Sequence, residues 1–180
     1  MRDSALEART VAVTAVMIAV VATFTLLIRI PFAATGGYLN LSDVAIFFTA
    51  FIFGPIPAFV AGGVGAGLAD VVGGYPQFAW LSFIAHGLEG LLAGYVARRG
   101  TGPTWALAAL VVGALAMLLG YFLGEALVMT GLGPALEELI FLNTPQVVLG
   151  AVLGIALTQA VRRAYPPITQ MNRPRAWREM

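Results

Sequence analysis

Long apolar runs, separated by short segments that contain Gly, Pro or polar residues, dominate the chain. A helix needs roughly 20 residues to cross the hydrocarbon core of a bilayer. The runs predict six such spans: residues 10–30, 42–54, 58–72, 78–97, 105–129 and 144–162. We expect one membrane domain over 1–165 and a polar, basic cytoplasmic tail over 166–180. The outward-facing connections are predicted to be loops over 32–41, 73–77 and 130–143.

Span 2 is the shortest of the six, and its apolar run of about 12 residues also suits a re-entrant or interfacial segment. The distribution of the arginines favours a full crossing of the membrane by span 2. With six spans, the arginine pairs 98–99 and 162–163 share one side with the N-terminal arginines, and only Arg29 lies near the other side. Cytoplasmic loops carry an excess of basic residues. We therefore predict an all-α integral membrane protein, a six-transmembrane-helix bundle with cytoplasmic N- and C-termini.

Composition supports the membrane assignment and excludes several function classes. Of the 180 residues, 59% are hydrophobic and 11% are charged, and the mean hydropathy is +0.89. A soluble domain is about 45–50% apolar and about 25% charged. The net charge of +1 gives no broad basic surface for nucleic acid, and the absence of Cys excludes disulfides and thiolate chemistry.

Nucleotide and hydrolase motifs do not occur in the sequence. It contains no GxxxxGK[ST] phosphate loop, no HExxH and no GxSxG. We therefore expect no enzyme activity and no cofactor, and any ATP hydrolysis is expected from partner subunits.

Polar residues at membrane depth cluster towards the predicted outer side. Ionisable groups inside spans are costly and are functional candidates by default. Asp43, Asp70 and Glu125 lie near the outer ends of their spans, and Asn143 and Gln146 open span 6 on one face. The aromatic residues at this level are Tyr38, Tyr75, Phe78 and Trp80. Together these residues predict an outward-facing pocket for a small molecule.

Span 4 contains His86 and Glu89, three residues apart and therefore on one helix face. Three interpretations are open: ligand contacts at the floor of the pocket, a proton-coupling pair, or a structural pair that satisfies its own polar atoms. A metal site is not expected, because a single His without clustered partners is a poor ligand set.

Other polar residues have structural interpretations beside the functional ones. Ser42 and Asp43 are suited to capping the start of span 2. Asp70 is suited to pairing with Arg29, and Arg29 is equally suited to meeting an anionic group of a substrate.

Pairs of small residues four apart occur on five spans, and such pairs allow helices to approach closely in lipid. They are Ala15/Ala19, Gly63/Gly67, Gly90/Gly94, Gly120/Gly124 and Gly150/Gly154. In span 1 the pair belongs to a longer stripe of alanines on one face, Ala8, Ala12, Ala15, Ala19 and Ala22. This face is suited either to the bundle itself or to a helix of another protein.

The chain resembles the substrate-binding S components of energy-coupling factor (ECF) transporters, which import vitamins and their precursors in prokaryotes. The resemblance covers about residues 8–163. Its motifs are the alanine stripe of span 1, GYLNLSD at 37–43, FGP at 53–55, GGxGxGLAD at 62–70, HGLEG at 86–90, and Asn143 with Gln146.

The resemblance implies a six-helix bundle in the prokaryotic cell membrane that binds its substrate near the outer face. It implies that Ala15 and Ala19 dock on a transmembrane coupling subunit driven by two ATPase subunits, and that the S component topples to release its cargo inside. The substrate contacts that we predict are Asn40, Tyr75, Trp80, His86, Glu89, Asn143 and Gln146.

The cargo that the motifs favour is a pyrimidine or pyridine type, such as hydroxymethylpyrimidine or pyridoxine, with riboflavin, thiamine and cobalamin open. Two alternative functions are a self-sufficient proton-coupled transporter that uses His86 and Glu89, and a membrane scaffold without transport.

Overall fold

The structure, a computed structural model, describes the backbone of residues 2–33 and 35–170 and the side chains of 8–33 and 35–168. Residues 171–180 of the predicted tail lie outside this range. The elements in chain order are α1 (Arg2–Leu27), β1 (Ile30–Phe32), β2 (Gly37–Leu39), α2 (Ser42–Ile52), α3 (Pro55–Gly73), α4 (Ala79–Ala97), α5 (Pro103–Gly124), α6 (Leu132–Glu138) and α7 (Thr144–Ala164). A π-helical turn, Glu125–Met129, follows α5, and a second, Leu139–Asn143, joins α6 to α7.

Four helical stretches of the described chain are long and apolar enough to cross a membrane. They are Ala8–Leu27, Pro55–Gly73, Pro103–Met129 and Leu132–Ala164. Helix α4 has the same 19-residue length as α3, but it contains the polar side chains of His86 and Glu89. Helix α2 has only 11 residues, about 16 Å at 1.5 Å per residue.

The short helix α2 lies at the centre of the bundle. It contacts α1, α3, α4 and α7, and every residue from Ser42 to Phe47 is buried. Lipid offers no hydrogen-bond partners to backbone polar groups, so irregular backbone at membrane depth is stable only where protein surrounds it. Helix α2 meets this condition, because its two ends are covered by neighbouring helices rather than by lipid.

Hydrogen bonds of three arginines mark the two ends of the bundle. Arg98 donates to the carbonyl oxygen of Phe53 at 3.4 Å, and Arg162 donates to that of Phe51 at 3.0 Å. We call this the arginine end. At the opposite end, which we call the hairpin end, Arg29 donates to the carbonyl oxygen of Gly73 at 2.8 Å.

Glycines bring α3 and α4 into backbone contact. A β-carbon at Gly63 would lie 2.8 Å from the carbonyl oxygen of Phe83, and one at Gly90 would lie 2.6 Å from that of Ala58. Positions further along α3 contact positions earlier in α4, so the two helices are antiparallel. The pairs 120/124 and 150/154 likewise face α4 and α2. All four Gly pairs therefore pack inside the bundle.

Two predicted loops contain regular structure. Residues 130–143 are mostly helical, so the predicted loop is wrong there: Gly131 is the N-cap of α6, with φ of 85°, rather than part of a long connection. Within 32–41, β1 and β2 pair antiparallel, with Pro31 opposite Tyr38. Helix α1 begins at Arg2, well before the predicted start of span 1 at residue 10, and the other helices begin and end within a few residues of the predicted spans.

Replacement of Gly90 by Ala tests the backbone contact between α3 and α4. The new methyl group meets the backbone of Ala58, and such overpacking costs about 1–3 kcal/mol. We expect a lower melting temperature in detergent. Gly133→Ala is the matched control, because no atom lies within 4 Å of its added β-carbon. Equal melting temperatures for the two variants would contradict the interpretation.

Candidate functional site

A cavity opens at the hairpin end of the bundle. It encloses about 300 Å³ of empty space, its mouth included. Its walls come from the hairpin, α3, α4, α5 and the α6–α7 region, and the lining residues are Gly37, Tyr38, Asn40, Asp70, Phe78, Ser82, Tyr121, Glu138, Asn143 and Gln146. Aromatic surface with a few convergent polar groups is typical of small-molecule sites.

The β-hairpin forms one wall of the cavity and is tied to α3. The hydroxyl of Tyr38 donates to Oδ1 of Asp70 at 2.5 Å, and its ring packs on that of Tyr75, with centroids 4.4 Å apart. Burial and, secondarily, the Asp70 charge raise the pKa of the Tyr38 hydroxyl, so it remains a proton donor. This bond takes the place of the expected pair between Asp70 and Arg29, since Arg29 donates to Gly73 instead.

Asn40 stabilises the segment that connects the hairpin to α2. Its side-chain oxygen accepts from the backbone N–H of Ser42 at 2.8 Å, and its own backbone N–H donates to Oε1 of Gln146 at 2.9 Å. Asn40 thus supplies the side-chain hydrogen bond that was expected from Ser42 or Asp43. The capping prediction for those two residues is wrong: the N-cap residue is Leu41, and both side chains are buried in the bundle.

The π-helical turn Leu139–Asn143 brings three polar side chains to the cavity. A π-helix pairs residues five apart, so Glu138 and Asn143 are placed on a common side. Gln146 follows three residues later on α7 and shares that side. All three side chains line the cavity and are buried.

His86, Glu89 and Asp43 form a buried cluster beneath the cavity. Nδ1 of His86 lies 2.8 Å from Oε2 of Glu89 and 3.9 Å from Oδ1 of Asp43. The potential ligand atoms of the three residues lie within 4.8 Å of one another, so the expectation that His86 has no clustered partner is wrong. Nδ1 of His86 and Oε2 of Glu89 lie at hydrogen-bonding distance from each other.

The structure separates the predicted substrate contacts into three groups. Asn40, Asn143 and Gln146 line the cavity. Tyr75 packs at its rim against Tyr38. The other three do not line it: His86 and Glu89 lie below the floor, fully buried, and Trp80 is 43% exposed on the outside of α4.

Seven of the ten lining residues were not among the predicted contacts, and they are Gly37, Tyr38, Asp70, Phe78, Ser82, Tyr121 and Glu138. Ser82 lies one turn before His86, and its hydroxyl pairs with that of Tyr121 at 2.5 Å. Glu138 was assigned to a loop. If residues 132–143 are interpreted as a helix, Ala135, Glu138 and Leu142 fall on one face, at the spacing of an amphipathic helix. All three residues are buried, so this pattern identifies Glu138 as facing inward.

Sequence comparisons point to one group of transport proteins. The family model described as ECF-type riboflavin transporter, S component, matches residues 5–163. An uncharacterized Pyrococcus woesei protein from the gap 3′ region is 37% identical over 81% of this chain and 97% of its own length. The thiamine precursor transporter HmpT of Lactococcus lactis subsp. cremoris (strain MG1363) is 33% identical over 72% of this chain and 73% of its own length.

The match covers most of the chain, and the four apolar helices agree with a multi-pass membrane protein. The chain therefore belongs to the ECF-type riboflavin transporter S component family, a family of vitamin and vitamin-precursor transport components rather than of enzymes.

Proposed function

We propose that the chain captures a small, water-soluble vitamin or vitamin precursor in the hairpin-end cavity and delivers it by toppling on a coupling subunit driven by two ATPases. The observation that carries the proposal is the cavity itself. It combines buried polar groups with aromatic walls, while the part of the chain that the structure describes forms an apolar bundle around it.

The proposed topology has six crossings with both termini in the cytoplasm of a prokaryotic cell. Two facts support it. The helices that follow one another in the chain run alternately between the hairpin end and the arginine end, as the contacts of Arg98 with Phe53 and of Arg29 with Gly73 require. Basic residues concentrate on the cytoplasmic side of membrane proteins, so the arginine end faces inward and the cavity outward.

The proposed cargo is a single-ring pyrimidine or pyridine compound, with hydroxymethylpyrimidine as the first choice. The empty space of about 300 Å³ includes the open mouth, so the enclosed part of the site is small. A small enclosed site favours one substituted ring over the three fused rings and sugar-alcohol chain of riboflavin, and cobalamin is far larger. The similarity to a thiamine precursor transporter supports the same choice.

The outer face of α1 supports docking on a coupling subunit. Met17, Val21 and Thr25 are the buried side of this helix, whereas Ala15 and Ala19 are exposed on another side. All four Gly pairs of the same spacing pack inside the bundle. The alanine pair therefore remains free for a helix of another protein.

Ligand capture is tested by thermal unfolding of the purified protein against vitamins and their precursors. A ligand that binds the folded state alone raises the melting point. We expect a saturable shift with hydroxymethylpyrimidine, and a loss of affinity of roughly tenfold in Asn143→Ala, because a buried hydrogen bond is removed. Gln159→Ala is the control, since Gln159 is exposed near the other end of α7. A panel without any saturable shift would favour a scaffold.

Docking is tested by uptake with the complete transporter. We expect Ala15→Trp and Ala19→Trp to abolish uptake while ligand affinity stays unchanged, because the bulky ring prevents close helix approach. Ala156→Trp is the matched control on the exposed side of α7 and is expected to retain uptake. Uptake by the isolated chain in liposomes, driven by a pH gradient alone, would instead favour a proton-coupled carrier.

A further inference from the structure

Acidic side chains are concentrated around the cavity. Of the nine acidic residues of the chain, five are buried, and they are Asp43, Asp70, Glu89, Glu125 and Glu138. Asp70 and Glu138 line the cavity directly. No arginine occurs among the buried residues of the described part of the chain, and the sequence has no lysine. Arg29, at the hairpin end, is exposed and donates to the backbone of Gly73.

The cavity contains buried polar atoms that have no hydrogen-bond partner in the protein. They are Oδ2 of Asp70, Oε2 of Glu138 and Nδ2 of Asn143, and the three side chains are each at most 3% exposed. Buried polar atoms are almost always satisfied by protein, water or ligand. The two carboxylate oxygens accept hydrogen bonds, and the amide nitrogen donates one.

Glu125 places a second acid beside Glu138. It is buried next to Glu138, and a hydrogen bond between the two carboxyl groups requires a proton on one of them. Like charges that share a buried site repel each other, so the pair favours a single negative charge. An anionic ligand group against Glu138 adds to this repulsion, whereas a neutral hydrogen-bond donor or a cation does not.

We propose that the cavity selects a neutral or cationic ligand with two hydrogen-bond donors and one acceptor, and rejects anionic forms of the same ring, such as its phosphate ester. Asp70 and Glu138 are the residues that determine this specificity, with Asn143 as the donor to a ring acceptor. The inference rests on the proposed function, because it assigns a charge class to the ligand of that same cavity. A substituted aminopyrimidine with a free hydroxymethyl group has the required pattern.

The test compares free compounds with their phosphate esters on the purified full-length chain. The probes are hydroxymethylpyrimidine, pyridoxamine and riboflavin, each with its monophosphate, and binding is measured by thermal stabilisation. We expect at least one free compound to bind, and its ester to bind at least roughly tenfold more weakly, because hydrogen bonds and contacts that involve charge are the strong ones. An ester that binds as well as its free compound overturns the charge selection but leaves vitamin capture intact. If none of the six probes stabilises the chain against thermal unfolding, both proposals are overturned.

Two neighbouring glutamates provide a matched pair of variants. Glu138 is buried in the cavity wall, and Glu137 is exposed. We expect Glu138→Gln, which keeps the shape and removes the charge, to reduce the discrimination against the ester at least roughly tenfold, and Glu137→Gln to leave it unchanged. Equal discrimination in both variants overturns the role of Glu138.

The melting temperature of each ligand-free variant shows whether it is folded. If Glu138→Gln does not fold, Asp70→Asn replaces it, because an asparagine oxygen can still accept from Tyr38. Discrimination in Asp70→Asn equal to that of the unaltered chain then overturns the selection by these carboxylates.

Discussion

The fold depends on the burial of one short helix. With 11 residues, α2 is shorter than the roughly 20 residues that a lipid-exposed helix needs to cross the hydrocarbon core. It is stable at membrane depth because the other helices cover it and because Gly150 and Gly154 of α7 lie directly against Asp43 and Phe47. A larger side chain at either of these two glycines would push α2 away from α7 and expose its ends to lipid, where unpaired backbone groups are costly.

The same helix connects the packing of the bundle to the candidate site. Its first turn carries Asp43 into the cluster with His86 and Glu89 below the cavity floor. Immediately before it, Asn40 binds Gln146 of α7, and Tyr38 binds Asp70 of α3. The hairpin and Asn40 are therefore held by two helices, α3 and α7, directly before the start of α2.

The sequence predicted the helices well, because long apolar runs with Pro or Gly at their ends have few other structures available. The predictions were wrong where the local sequence pattern and the packing of the folded chain disagree. The predicted loop over 130–143 includes Glu138, but Glu138 and Ala135 are both buried in a helix. Nor does any pattern in the sequence reveal a π-helical turn, so the common orientation of Glu138 and Asn143 was not predictable. Ser42 and Asp43 were mistaken for caps because their local sequence does not show that they are buried. The buried carboxylate of Asp43 lies near His86 of α4, which is distant in the sequence.

The small-residue pairs show why one motif serves two purposes in a membrane. In lipid, burying an apolar side chain against another helix gains little over burying it in acyl chains, so association depends on how closely two backbones approach. Gly90 and Gly94 use this closeness inside the bundle, where α4 meets the backbone of α3. The exposed pair Ala15 and Ala19 is covered by lipid at little cost until another helix displaces it. A face of this kind suits a partner that must both bind and leave, as the repeated rounds of delivery proposed above require.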